Sequence, residues 1–104
     1  MIEAAETAIG FVSGKTRQDL DDDRMLMFAL VRAVEIVGEA AARMTTATRQ
    51  SASDIPWALI VSMRNRLIHA YFDVDHQVVW NTVTAELPQL LPRLRHLLRQ
   101  TDIV

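Results

Sequence analysis

The stretch from Asp22 to Met44, DDRMLMFALVRAVEIVGEAAARM, leaves few options for the fold. It contains no proline, and its apolar residues recur at helical spacing around most of the circumference. A helix that is apolar on more than one side is expected to be packed on more than one side. Gly38 and the run Ala40-Ala41-Ala42 permit close approach of another helix, which makes this stretch a candidate subunit interface. Arg32, Glu35, Glu39 and Arg43 interrupt the apolar pattern at three- and four-residue steps and form one polar stripe. Such a stripe is either a solvent-facing row of ion pairs, each worth a few tenths of a kcal/mol, or a face turned toward a partner or a site.

Three further segments carry the same periodicity. Ile2 to Val12 reads as a short amphipathic helix with Ile2, Ala5, Ile9 and Val12 on one side, ended by Ser13-Gly14. Thr16 to Asp23 reads as a polar connector whose acidic triplet, Asp21-Asp22-Asp23, suits the capped start of the long helix. Thr45 to Ser53 is a second polar connector. A helix over Pro56 to Tyr71 follows, with Asp54 as a candidate cap. Phe72-Asp73-Val74-Asp75 breaks the periodicity, and Asp75 can cap a last helix over His76 to Arg99. Pro88 and Pro92 lie inside that helix, so a kink or break is expected near Leu87. Four main helices, no convincing strand and no repeat predict one all-α domain over residues 1–104, an up-and-down four-helix bundle.

Composition excludes several functions. With no cysteine, disulfides, thiolate metal sites and cysteine nucleophiles are all absent. No apolar run approaches the ~20 residues needed to span a bilayer, and a soluble, cytoplasmic protein is expected. Formal net charge is −2, unlike a globally basic nucleic-acid binder. The basic groups of residues 55–104 are five arginines, Arg64, Arg66, Arg93, Arg95 and Arg99. Phosphate contact would therefore be local, or supplied by a dimer. For Arg93, Arg95 and Arg99 the plainer reading is solvated helix surface. No Gly-rich phosphate loop, no zinc-ligand spacing and no cofactor motif appears.

The densest chemical grouping is Arg64-Asn65-Arg66-Leu67-Ile68-His69-Ala70-Tyr71. At about 100° per residue, Ile60, Val61, Arg64, Leu67, Ile68 and Tyr71 share one face, with Arg64 where an apolar side chain is expected. A buried, unpaired guanidinium costs several kcal/mol. Arg64 must therefore meet a carboxylate, with Glu35 and Glu39 the best-placed candidates, or open onto a phosphate-binding cleft. His69 lies about 140° around the helix and ~7.5 Å along it, so the pair does not stack in one regular helix. Two copies meeting across a two-fold axis would relieve that geometry. Histidine suits proton transfer near neutral pH, and arginine suits clamping a phosphodiester. Together they are enough to cleave RNA without metal, because the 2′-hydroxyl is an internal nucleophile.

The string Arg64–x4–His69–x–Tyr71 resembles the motif of HepT-like toxins of the HEPN superfamily. IPW (55–57), MRNRLIHAYFDVD (63–75), VW (79–80), EIVGEAA (35–41) and ELP (86–88) resemble the same family. The first helix is shorter than is usual there, and Ala70 stands where glycine is common. The resemblance implies a homodimeric helical bundle, or a higher even-numbered oligomer, with two motifs facing across a cleft. It implies a metal-independent endoribonuclease, the toxin of a toxin–antitoxin pair. Arg64 would bind the scissile phosphate, His69 would act as general acid/base, and Asn65 would support them. Glu35 and Glu39 are supporting candidates from the helical stripe alone. The partner implied is an MntA-like minimal nucleotidyltransferase that inactivates the toxin by transferring AMP to Tyr71. Two other readings are a catalytically silent helical module that binds a nucleotidyltransferase or a nucleotide, and a plain structural four-helix dimer.

Overall fold

The computed structural model describes residues 1–68 and 75–102, with the backbone alone at positions 64, 66–68 and 100–102. The described chain is mostly helical: α1 (Ile2–Phe11), α2 (Arg17–Asp22), α3 (Arg24–Ala42), α4 (Thr46–Ser51), α5 (Trp57–Ile68), α6 (His76–Asn81) and α7 (Leu87–Asp102). One π-helical turn, Thr82–Glu86, joins α6 to α7. No strand occurs among the described residues. The long helices α1, α3, α5 and the composite α6–α7 form the all-α bundle that the periodicity predicts. α5 packs on α3, α3 on α1, and α1 on α7, which gives a flat body of 46 × 28 × 17 Å.

α3 is the spine. Met27, Leu30, Ala33, Val34, Val37, Gly38 and Ala41 are its buried residues, and they fall within an arc of about 140°. The helix is therefore buried on one side by several neighbours rather than all round. Its far side carries Met25, 79% exposed, and Phe28, 66% exposed, beside Arg32 and Ile36. Leu20, Leu30, Val34, Val37, Ile60, Val79, Val83 and Leu87 are the largest fully buried side chains. At roughly 25 cal/mol per Å² of apolar surface, each contributes on the order of 1.5–3 kcal/mol.

Both polar connectors contain a short helix. The carboxylate of Asp19 accepts the Thr16 backbone N–H at 2.7 Å, closing the first turn of α2, and buried Leu20 anchors it. Thr45 Oγ1 accepts the Thr48 N–H at 3.1 Å to start α4. α4 buries none of its own residues. It is held by Arg49, whose Nη2 donates to the Ala41 and Ala42 carbonyls at 2.8 and 3.3 Å and so satisfies the end of α3. The acidic triplet divides as expected at one position: Asp23 accepts the Leu26 N–H at 3.1 Å and caps α3. Gly14, at φ 74°, supplies the left-handed residue that turns the chain out of α1.

The distortion expected near Leu87 takes the form of the π turn. Pro88 has no N–H, and its ring would crowd the carbonyl four residues earlier in a regular α-helix. The widened turn before it removes that conflict, and the Leu87 N–H reaches back to the Thr82 carbonyl. Thr82 and Thr84 hydroxyls donate to the Val78 and Trp80 carbonyls at 2.8 and 2.6 Å. The turn also sets the apolar phase. Val79, Val83 and Leu87 are four residues apart and all fully buried. In a pure α-helix those two steps would drift by about 80°.

Candidate functional site

The helix that bears the candidate motif is fixed at its start by an aromatic anchor. Trp57 is buried, and its indole N–H donates to the Ala52 carbonyl at 3.1 Å. α5 begins at Trp57, one residue later than Pro56. Asp54 offers its backbone carbonyl to Arg93 Nη1 at 3.0 Å. Trp57, Ile60 and Met63 are buried, Val61 is half-buried, and Ala58, Leu59 and Asn65 are exposed. By helical register position 64 lies one turn beyond Ile60, on the packed arc. Asn65 is on the solvent side. Of the sequence candidates, Arg64 thus belongs to α5 by its backbone and Asn65 is a surface residue. His69 and Tyr71 lie outside the described residues.

Glu35 and Glu39 do come together, around a cation on their own helix. Arg32 Nη1 lies 3.3 Å from Glu35 Oε2 and 3.6 Å from Glu39 Oε1. The Glu35 side chain is only 16% exposed, whereas Arg32 is 62% exposed. An exposed guanidinium shared by two carboxylates holds them loosely, since such pairs are worth about 0–1 kcal/mol. A second cation could draw on the same carboxylates at small cost.

After the motif, α6 opens on a side-chain cap. The Asp75 carboxylate accepts the Gln77 and Val78 N–H groups at 2.9 and 3.3 Å, capping α6 as the sequence suggests. His76 Nδ1 and Asp21 Oδ1 are 2.5 Å apart, and Arg17 Nη1 donates to the same oxygen at 3.0 Å. Arg17 Nε also donates to Gln77 Oε1 at 3.2 Å. This clasp joins α2 to the first turn of α6. The Arg17–Asp21 spacing of four was visible in the sequence; the pairing of α2 with a residue 55 positions away was not.

The clasp has a pH signature. The hydrogen bond from Arg17, and then that from His76, hold the Asp21 carboxyl below its ordinary value of 3.8. A carboxyl whose folded pKa is depressed stabilises the fold above the unfolded value and loses that contribution as pH falls through the folded one. Asp21→Asn should therefore melt lower than the wild type near neutral pH. The two melting curves should converge below pH 3.8, and a constant offset down to pH 2 would refute the linkage.

Among the described residues no three carboxylate, imidazole or thiol groups gather as a metal cage, and no helix is long and apolar enough to cross a membrane. α7 turns Arg93, Arg95, His96 and Arg99 outward. A groove of about 480 Å³ runs between α1 and α3, lined by Ala4, Thr7, Phe11, Ala29, Ala33 and Ile36, with Glu3 and Arg32 also contributing.

Comparison with known proteins agrees with this helical frame. The family model described as ribonuclease HepT-like matches residues 1–97. The chain is 34% identical over 100 residues to "Putative RNase TTE0752" of Caldanaerobacter subterraneus, covering 96% of this chain and 89% of that protein. It is 39% identical over 88 residues to "Probable ribonuclease HepT" of Thermococcus cleftensis, covering 85% and 80% of the two chains. To "Putative RNase MJ1380" of Methanocaldococcus jannaschii it is 31% identical over 90 residues, covering 86% and 83%. No solved structure gives a significant match.

Proposed function

The chain belongs to the ribonuclease HepT-like family, and from that premise we propose that it is an endoribonuclease toxin that cuts RNA without a metal ion. The observation that carries this reading is the coincidence of the family match over residues 1–97 with an intact Arg64–x4–His69–x–Tyr71 string entered from α5. In the proposed reaction the ribose 2′-oxygen bonds to the adjacent phosphorus as the bond to the 5′-oxygen breaks. His69 serves the proton transfers: its imidazole takes the 2′-hydroxyl proton as the new bond forms, and the imidazolium so made gives a proton to the 5′-oxygen as it leaves. Arg64 binds the scissile phosphate and stabilises the charge that grows on it. Asn65 supports the pair. Glu35 and Glu39, already gathered on Arg32, would orient a second guanidinium.

A homodimer with two motifs facing across a cleft completes the site in this reading. Pairing of copies is supported by the apolar side chains a single chain leaves in water: Phe11, Met25, Phe28 and Ile36. Regulation follows from position. Tyr71 is two residues from His69, so an AMP group on its phenolic oxygen would add a negative phosphodiester and a bulky nucleoside close to the catalytic histidine. That group would compete with RNA for Arg64. An MntA-like nucleotidyltransferase is the proposed antitoxin.

Purified protein should cleave RNA undiminished in excess EDTA; cleavage lost in EDTA and restored by a divalent ion would refute metal independence. Co-expression with a cognate nucleotidyltransferase should add the mass of AMP to the peptide bearing Tyr71. An unmodified Tyr71 peptide in protein that has nonetheless been silenced would remove the regulatory step.

A further inference from the structure

The clasp between α2 and α6 has a place in the chain that its strength does not explain. It consists of two separate cross-links, His76 Nδ1 with Asp21 Oδ1 and Arg17 Nε with Gln77 Oε1. Arg17 Nη1 also donates to Asp21 Oδ1 at 3.0 Å, and Gln77 Nε2 to Asn81 Oδ1 at 2.9 Å, so each side is steadied within its own helix. The His76 and Asp21 side chains are 34% and 40% exposed. Water and salt screen so open a pair, and it adds little to global stability. Neither helix needs it in order to form. α2 has the bond from the Thr16 N–H to Asp19 and its anchor in Leu20. α6 has the Asp75 cap and buried Val79. What the cross-links add is orientation, because two points fix the first turn of α6 against α2 in both direction and rotation.

That turn is where the chain arrives from the motif. Ile68 ends α5 and Asp75 caps α6, with only positions 69–74 between them. An extended chain covers at most about 3.6 Å per residue, so Tyr71 lies within about 14 Å of Asp75 by whatever path. His69 adjoins the last residue of α5 directly. So short a connection transmits the position of its far end. A displacement near 1 Å at a reacting group can cost about 10²-fold in rate. We propose that Arg17, Asp21, His76 and Gln77 are positioning residues for the cleavage: by fixing where the chain enters α6, they set His69 against Arg64. The proposal rests on the ribonuclease reading and brings α2 into its machinery.

The test is single-turnover cleavage of a labelled RNA at saturating protein, run well below the melting transition of every variant. Asp21→Ala and His76→Ala should each slow cleavage about tenfold. The double variant should be no slower than the worse single one, because either change opens the same link. Asp21→Asn, whose amide oxygen accepts from the same two donors, should recover most of the rate. Glu6→Ala opens a comparably exposed pair, Glu6 with Arg95 at 2.9 Å, and should leave the rate within about twofold of wild type. RNA affinity, measured in His69→Ala protein, should move less than about twofold when Asp21→Ala is added, a split between rate and affinity that general loss of structure does not give. The residual cleavage of His69→Ala decides the matter. Adding Asp21→Ala should not slow it further, since the clasp acts through that histidine. An undiminished tenfold loss in that background would overturn the proposal, as would Asp21→Ala cleavage within about twofold of wild type. Wild-type protein that cuts no RNA would instead end the ribonuclease reading, and the positioning role with it.

Discussion

His69→Ala is expected to slow RNA cleavage by about 10²–10⁴-fold, the range that a positioned general acid/base supplies. Arg64→Ala should cost about 10²–10³-fold, as loss of a donor aimed at developing charge does elsewhere. Arg64→Lys should recover part of that loss, because the charge returns but the two-pronged grip on phosphate does not. The double variant should be scarcely slower than the worse single one, since the two groups act on one transition state. Single-turnover cleavage of a labelled RNA measures each rate, and thermal melts show whether the fold is kept. Position 64 falls on the packed arc of α5, so the melt is indispensable for the arginine variants. Cleavage within threefold of wild type in a folded His69→Ala protein would end the assignment of that histidine.

Leu30→Ala should be the most damaging single change to the fold among buried side chains of the spine. Leu30 is fully buried on α3, against which α1 and α5 both pack. Truncating a leucine in such a place removes about 3–5 kcal/mol, part from lost transfer energy and part from the cavity left behind. A domain of this size has roughly 5–15 kcal/mol in total. The melting temperature should therefore fall by more than about 10 °C in a circular-dichroism scan at fixed protein concentration. A shift under about 3 °C would mean that the space around Leu30 collapses freely, and that α3 is not the spine described above.

The four long helices were legible because each buries a stripe, and a stripe leaves a period in the sequence. α2 and α4 were not, because their stability comes from other sources. α2 buries one large side chain, Leu20, and α4 buries none. They are held by Asp19 and Thr45 at their starts and by Arg49 reaching to α3. Side-chain oxygens three residues from a threonine were the available signal. Periodicity also overstated α3: its apolar circumference includes Met25 and Phe28, which the single chain leaves exposed. On the site, spacing identified Arg64, Asn65, His69 and Tyr71 as a group and placed Arg64 on a packed arc. The row of ion pairs on α3 was one of two readings that the spacing of Arg32, Glu35 and Glu39 offered, and the structure pairs those three. Asp21 with His76 was not legible, because it depends on the packing of α2 against α6, which sequence spacing does not encode.

The π turn at Thr82–Glu86 acts as a gear between the two halves of the last helix. It is equivalent to one extra residue slipped into an α-helix and taken up by a widened turn, so the residues downstream keep the phase they would have had without it. Removing a single residue such as Ala85 would let the helix run true and bring Val79, Val83 and Leu87 to steps of four and three, the ordinary α-helical stripe. Leu90 and Leu94 would keep their side of the helix. A one-codon deletion here should therefore be tolerated far better than the same deletion later in α7, where no widened turn takes up the change and the buried face would swing by about 100°.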